Sequence, residues 1–228
     1  MIKENIEKIL SKIKNSAQKC GRDPDSVKLV AVSKTFPAEL VIEAVNAGLK
    51  DFGENYVQDF LTKYDKLEKY QVKWHFIGHV QTNKVKYIYD KISLLHTLDS
   101  VKLAEKLNKK LTEVNRILNA LIQINIGREP NKYGIFEEEV ETFLEQMEKY
   151  KHINITGFMT IPPFFEKKEE VRPLFAKMRM LLEKFSTYNE NLKELSMGMS
   201  HDFDIAIEEG ATIIRIGTAI FGERKRRN

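Results

Sequence analysis

The stretch Lys28-Leu-Val-Ala-Val-Ser-Lys34-Thr-Phe-Pro37 decides the fold. Its apolar run is short, β-branched and closed by a proline, which marks a strand rather than a helix. Val30, Val32 and Lys34 share one parity and therefore one face of that strand. An open doubly wound sheet usually carries a glycine-rich phosphate loop after its first strand. Here the strand runs into Ser33-Lys34-Thr35-Phe36-Pro37, with no glycine. A lysine that ends a core-type face has two readings. Its stem can snorkel along the strand end, or its amine can bond covalently to a carbonyl compound such as pyridoxal phosphate.

On either side of this stretch the same unit recurs. A helix over 2–19, with Ile2, Ile6, Ile9, Leu10 and Ile13 at helical spacing, precedes the first strand, Val27–Ser33. A helix then opens at Pro37 and closes at Gly48. Further strands are expected at Asp51–Asn55, Trp74–Gly78, Ile92–Thr97, Leu118–Ile126, Ile153–Thr160, Leu192–Met197 and Thr212–Ile216. The helices between them are expected at Tyr56–Leu67, Thr82–Asp90, Val101–Leu107 and beyond (capped by Asp99 or Ser100), Phe136–Lys149, Lys168–Ser186 and His201–Gly210. Eight strands in strict alternation with helices predict a parallel sheet, and in a chain of this size a closed (β/α)8 TIM-type barrel with an extra N-terminal helix. With no repeat, low-complexity stretch or linker, residues 1–228 read as a single domain.

The bulk numbers set limits. The 228 residues are 42% hydrophobic and 31% charged, enough for one good core. There is no apolar run of about 18 residues, so no membrane span is expected. The acid-containing amphipathic start, Met1 to Lys8, is unlike a secretory leader, and the lone Cys20 allows no intramolecular disulfide. These features predict a cytoplasmic protein. The net charge of +4 is mild, and the basic run Arg224-Lys-Arg-Arg227 reads as a solvated terminus. No nucleic-acid partner is expected.

In a barrel the active site is built at the C-terminal ends of the strands. Those ends offer Lys34, Glu54, Asn55, Gly78, His79, Asn125, Arg128, Met159, Thr160, Gly198, Met199, Ser200, Arg215, Gly217 and Thr218. Barrels frequently bind phosphate with the loops after strands seven and eight and the start of a short helix. Ser200 and Gly217-Thr218 stand there. Taken singly, Ser200 is an ordinary helix cap and Gly217 an ordinary turn residue; the combination is informative. Arg215 lies inside a strand expected to be buried on both faces. Its guanidinium pairs either with an acidic side chain or with the ring nitrogen of a pyridoxal cofactor. An arginine in that second role leaves the nitrogen unprotonated and the ring a weaker electron sink. His79 is a polar loop residue or a base. His75, His96, His152 and His201 have no metal-ligand spacing, and no metal is expected.

Several stretches together are similar to a known family. They are Ala31-Val-Ser-Lys-Thr35, Phe52-Gly-Glu-Asn-Tyr56, Trp74-His-Phe-Ile-Gly-His79 with Gln81-x-Asn-Lys84, Gly157-Phe-Met-Thr160, Leu195-Ser-Met-Gly-Met-Ser200 and Arg215-Ile-Gly-Thr-Ala-Ile-Phe-Gly222. They resemble, in order and over nearly the whole length, the pyridoxal-phosphate homeostasis proteins, small relatives of the alanine racemase barrel (fold type III). Phe203, where methionine is expected, and the basic tail depart from the pattern. The resemblance implies pyridoxal 5'-phosphate as cofactor, carried as a Schiff base on Lys34. It further implies Ser200, Gly217 and Thr218 at the phosphate, Arg215 near the pyridine nitrogen and Asn55 lining the pocket.

Two functions from different classes follow. One is a binding protein that holds the cofactor for vitamin B6 and amino-acid homeostasis and hands it to apo-enzymes, without turnover. The other is a racemase-like enzyme. Two-base racemisation needs an acid/base on each face of the substrate carbon. In the racemases the opposing tyrosine comes from a second domain, for which this chain has no residues left; Tyr56 and His79 are the local candidates. The binding function is favoured, with a monomer expected because the racemase-type dimer interface is absent.

Overall fold

A computed structural model describes residues 1–223; the basic run Arg224–Arg227 lies outside the described residues. The strands β1 (Lys28–Val32), β2 (Asp51–Glu54), β3 (Lys73–Phe76), β4 (Leu94–Leu98), β5 (Leu118–Gln123), β6 (Ile153–Met159), β7 (Glu194–Ser196) and β8 (Ile213–Ile216) form a closed barrel in sequence order, and β8 pairs back onto β1. All pairings are parallel. The predicted barrel is therefore the observed one.

The wall outside the strands consists of α1 (Ile2–Lys19), α2 (Ala38–Asn46), α3 (Val57–Leu67), α4 (Val101–Glu113), α5 (Val140–Met147), α6 (Arg172–Ser186), α7 (Phe203–Glu208) and α8 (Thr218–Phe221). The expected helix over 82–90 is instead a 3₁₀ segment, Thr82–Tyr87. Its residues, among them threonine, asparagine, valine and tyrosine, are only middling helix formers. Ser100 rather than Asp99 caps α4, its Oγ accepting from the Leu103 N–H. The seventh strand is shorter than expected. The fifth ends at Gln123, beyond which Ile124 makes a single bridge to Ile135.

Helix α1 has a clear structural task. α8 covers one turn only, and α1 lies against α2, α7 and α8 beside it. Ile2, Ile6, Ile9 and Ile13 are buried on that face, each stabilising by roughly 1.5–3 kcal/mol.

Alternation along the strands divides the interior. Ala31, Phe52, Phe76 and Ile122 face the helices, whereas Val30, Leu94, Leu121, Met159 and Ile213 pack together inside the barrel. Between β5 and β6 the register slips from Ala120↔Ile155 to Leu121↔Gly157. Gly157 takes φ 154°, and a Cβ there would stand 1.8 Å from the Glu194 carbonyl oxygen. Only glycine admits this approach of β7.

Candidate functional site

The barrel register assembles the C-terminal rim. Val32 lies level with Gly53 on β2, and Val30 with Arg215 on β8. Lys34 and Asn55 follow the ends of the adjacent strands β1 and β2, so both belong to this sector of the rim. Lys34 falls in the turn just beyond β1 and is half-buried. The next residue, Thr35, adopts φ 69°, a region a β-branched residue rarely enters. Phe36 packs on Phe221 of α8 with ring centroids 5.0 Å apart, which ties the Lys34 turn to the strand-eight loop.

That loop has the features expected of an anion cradle. Gly217 is the N-cap of α8; its carbonyl accepts from the Ile220 and Phe221 N–H groups, while those of Thr218 and Ala219 have no acceptor within the helix. A Cβ on Gly217 would lie 3.3 Å from the Val32 carbonyl oxygen, so the loop sits directly against the strand that presents Lys34. The Thr218 hydroxyl meets the Ser200 hydroxyl at 3.3 Å. Ser200 is half-buried and Thr218 exposed, so both can turn to a ligand.

Arg215 points into the barrel and is 3% exposed. No carboxylate among the described residues pairs with it directly. Its Nη1 donates to Ser196 Oγ (2.5 Å) and its Nη2 to the Thr160 carbonyl (2.8 Å). Burial pulls its pKa down to about 10, against the attraction of the nearby Asp202 carboxylate; it stays protonated at neutral pH.

Below Ser196 the polar contacts continue through the core. Ser196 Oγ is 2.9 Å from His96 Nδ1, His96 Nε2 is 2.9 Å from His75 Nδ1, and His75 Nε2 is 2.9 Å from Asp51 Oδ1. Burial holds the His96 imidazole well below its ordinary range, with the charges of His75, Arg215 and Lys28 acting in the same direction. Burial likewise lowers His75, opposed by its hydrogen bond to Asp51. Both rings are neutral at pH 7. Sequence reasoning passed over this column. It weighed the histidines only as metal ligands, found no ligand spacing and went no further, although strand parity already places Asp51, His75, His96 and Ser196 on inner faces. Among the described residues no cluster of three or more potential ligands could hold a metal ion.

A cleft of about 740 Å³ opens beside Asn55, lined by Gly78, His79, Thr97, Gln123 and Tyr133 among others. Of the residues that the resemblance assigns to the cofactor, Asn55 alone borders it; the base candidates Tyr56 and His79 also line it. Asn55 Oδ1 and Gln123 Oε1 are buried there without hydrogen-bond partners among the described residues. His79 stacks on Tyr133 (centroids 3.7 Å apart, planes within 7°), and its Nδ1 lies 3.4 Å from Asp99. Tyr56 is exposed. A second cleft of about 450 Å³ lies between α5, α6 and the start of β6, away from the strand C-termini and their polar groups.

Fold and rim together define a class: a parallel (β/α)8 barrel with a lysine just after its first strand, an arginine within its last and a glycine-capped helical turn following it. The family model described as "Alanine racemase, N-terminal domain" matches residues 4–225. The chain is 45% identical to the pyridoxal phosphate homeostasis protein of Aquifex aeolicus (strain VF5) over 97% of this chain and 98% of that protein. It is 37% identical to the protein of the same name from Escherichia coli (strain K12), over 98% of this chain and 97% of that one. PipY of Synechococcus elongatus PCC7942, in a structure with PLP bound, superposes with a TM-score of 0.85 at 33% identity, over 97% of this chain and all of that one. The chain thus belongs to the pyridoxal phosphate homeostasis protein family.

Proposed function

We propose that the protein binds pyridoxal 5'-phosphate as a Schiff base on Lys34, holds it for vitamin B6 homeostasis, and hands it to apo-enzymes without turnover of its own. It acts as a single barrel domain, monomeric and cytoplasmic. Among the described residues no helix is long and apolar enough to cross a membrane. The observation that carries this reading is the convergence of Lys34, Arg215 and the Ser200–Thr218 cradle on one sector of the rim. The PLP-bound PipY relative supports it.

The cradle fits the phosphate: two hydroxyls, first-turn N–H groups and a glycine that leaves room. Arg215, its guanidinium held by Ser196 and the Thr160 carbonyl, would stand at the ring nitrogen of the bound cofactor. Asn55, just beyond β2 and bordering the cleft, would line the pocket of the bound cofactor. When bound, the cofactor supplies an aldehyde for amines and a ring that withdraws electrons. An arginine at the ring nitrogen limits that withdrawal, which suits storage better than extended carbanion chemistry. His79 is engaged by Asp99 and Tyr133, and Tyr56 is exposed. Neither local candidate for a second base is poised opposite Lys34, which favours binding over racemisation.

Purified protein should be yellow, and borohydride reduction followed by peptide mapping should place the cofactor on Lys34. Unchanged colour in Lys34→Ala would sink the assignment. Loaded protein should activate an apo-enzyme in a dialysis-separated assay no faster than free cofactor does, and faster when mixed directly. Interconversion of D- and L-amino acids, lost in Lys34→Ala, would establish the racemase-like alternative.

A further inference from the structure

The column Asp51–His75–His96–Ser196–Arg215 crosses the barrel from the N-terminal mouth to the ligand rim. Its two ends fix its direction. A guanidinium can only donate and an ionised carboxylate can only accept. Asp51 can only accept, so it takes the His75 Nε2–H; with both rings neutral that order carries back along the column, and the Ser196 hydroxyl, which accepts from Arg215, gives its own proton to His96 Nδ1. His96 is then protonated on Nε2 and donates to His75 Nδ1. His75 in turn is protonated on Nε2 and donates to Asp51. Every proton points toward Asp51, and no alternative arrangement satisfies both ends with neutral rings.

Burial makes this arrangement consequential. His75, His96, Ser196 and Arg215 are each no more than 3% exposed, while Asp51 is partly open at the opposite mouth. Arg215 has no carboxylate in direct contact among the described residues, and hydrogen bonds in a low-dielectric chain polarise one another. We propose that Asp51, His75, His96 and Ser196 are positioning residues that form a directional hydrogen-bond relay, through which the Asp51 carboxylate sets the charge that Arg215 presents to a ligand's ring nitrogen. The relay rests on the proposed function only for the identity of that ligand. The other charged groups facing it are Lys28 and Lys73 on β1 and β3, Glu194 on β7, and Asp202 before α7. Lys28 and Lys73 favour the Asp51 anion, and Asp202 moderates Arg215 from the rim. None of them interrupts the chain.

The first test needs neither ligand nor variant. Long-range ¹H–¹⁵N spectra of unloaded wild-type protein at pH 7 should show His75 and His96 both as neutral Nε2–H tautomers. An Nδ1–H tautomer or an imidazolium at either ring overturns the relay. The second test is a coupling experiment on protein loaded with pyridoxal phosphate, read as the midpoint of its absorbance-against-pH titration. Asp51→Asn keeps an acceptor but removes the charge; Arg215 then withdraws more strongly from the ring, and the midpoint falls. Ser196→Ala cuts the chain, so adding Asp51→Asn to it should produce no further shift. An undiminished shift in the double variant means the charge acts through space and overturns the relay. Where Ser196→Ala does not fold, Ser196→Cys weakens the same link and should shrink the Asp51→Asn shift. A wild-type protein that takes up no cofactor refutes the binding function but leaves the tautomer result to stand or fall alone.

Discussion

Lys63 of α3 reaches through the helix–sheet layer to Glu54 at the end of β2, its Nζ 2.5 Å from Oε1. The same ammonium donates to the Ser33 carbonyl at 2.6 Å, and the Ser33 hydroxyl donates to the same carboxylate oxygen at 2.6 Å. Ser33 immediately precedes Lys34, so this buried clamp holds the exit of β1 from behind. The pair is nearly inaccessible, with side-chain exposures of 5% and 0%.

Removing the cation should therefore be severe. Lys63→Met leaves a buried carboxylate uncompensated, a loss of about 3–5 kcal/mol. Burial already raises Glu54 above the usual carboxylate range, against the pull of Lys63, and without Lys63 it rises further. Between the ordinary glutamate value of about 4.3 and that raised value, the native state binds a proton that the unfolded chain does not. Stability then falls as pH rises through this window. Urea melts should show the deficit smallest near the acid end and largest above the Glu54 titration. The double variant Lys63→Met/Glu54→Gln should recover most of it at neutral pH. A deficit that ignores pH would show that the uncompensated charge is not its cause.

The anion cradle makes a prediction that separates phosphate from ring. Ser200→Ala and Thr218→Val each remove one hydroxyl, worth about 0.5–1.5 kcal/mol, and each should weaken pyridoxal 5'-phosphate binding several-fold. Neither should change the affinity for pyridoxal, which lacks the phosphate. Fluorescence titration with both ligands checks this; equal losses for both would move the phosphate elsewhere on the rim.

The barrel itself was legible because its signals are local: strand length, alternation, and glycine or proline at the breaks. Arg215 within an apolar strand and Lys34 at the end of another were visible for the same reason. Lys63 was not. It sits in an amphipathic helix where a lysine reads as a solvated residue, and only the approach of Glu54 and Ser33 from other elements makes it a buried one. The histidine column was half visible. Parity puts His75 and His96 inside, but their mutual contact depends on barrel register, which no single segment encodes. The 3₁₀ segment Thr82–Tyr87 was misread because its length fits a helix while its residues favour helix only weakly.

The turn that presents Lys34 is under backbone strain at Thr35, φ 69°. The residue is exposed, so its side chain contributes little packing. Glycine takes this conformation freely, whereas alanine keeps the Cβ penalty of roughly 1–2 kcal/mol. Thr35→Gly should therefore be more stable than Thr35→Ala by about 1 kcal/mol, the reverse of their order in a strand or helix. Paired urea melts decide it, and alanine emerging as the more stable variant would show that the turn is not left-handed in solution.

Asp51 should leave a signature in acid. Burial pushes its carboxyl up, but the hydrogen bond from His75 and the charges of His75, Lys28 and Lys73 outweigh burial, and the net is a value below the usual carboxylate range. Below the ordinary aspartate value of about 3.9, the unfolded chain takes up a proton that the native chain still refuses. The stabilisation contributed by Asp51 is thus fully present above that value and is lost as pH falls through the lower native one. Asp51→Asn has nothing to lose there. The stability difference between wild type and Asp51→Asn should stay constant from pH 8 to about pH 5 and shrink toward about pH 2–3, where both carboxyl states converge. A difference that persists undiminished to the lowest pH would show that the Asp51 anion is not what His75 is bonded to.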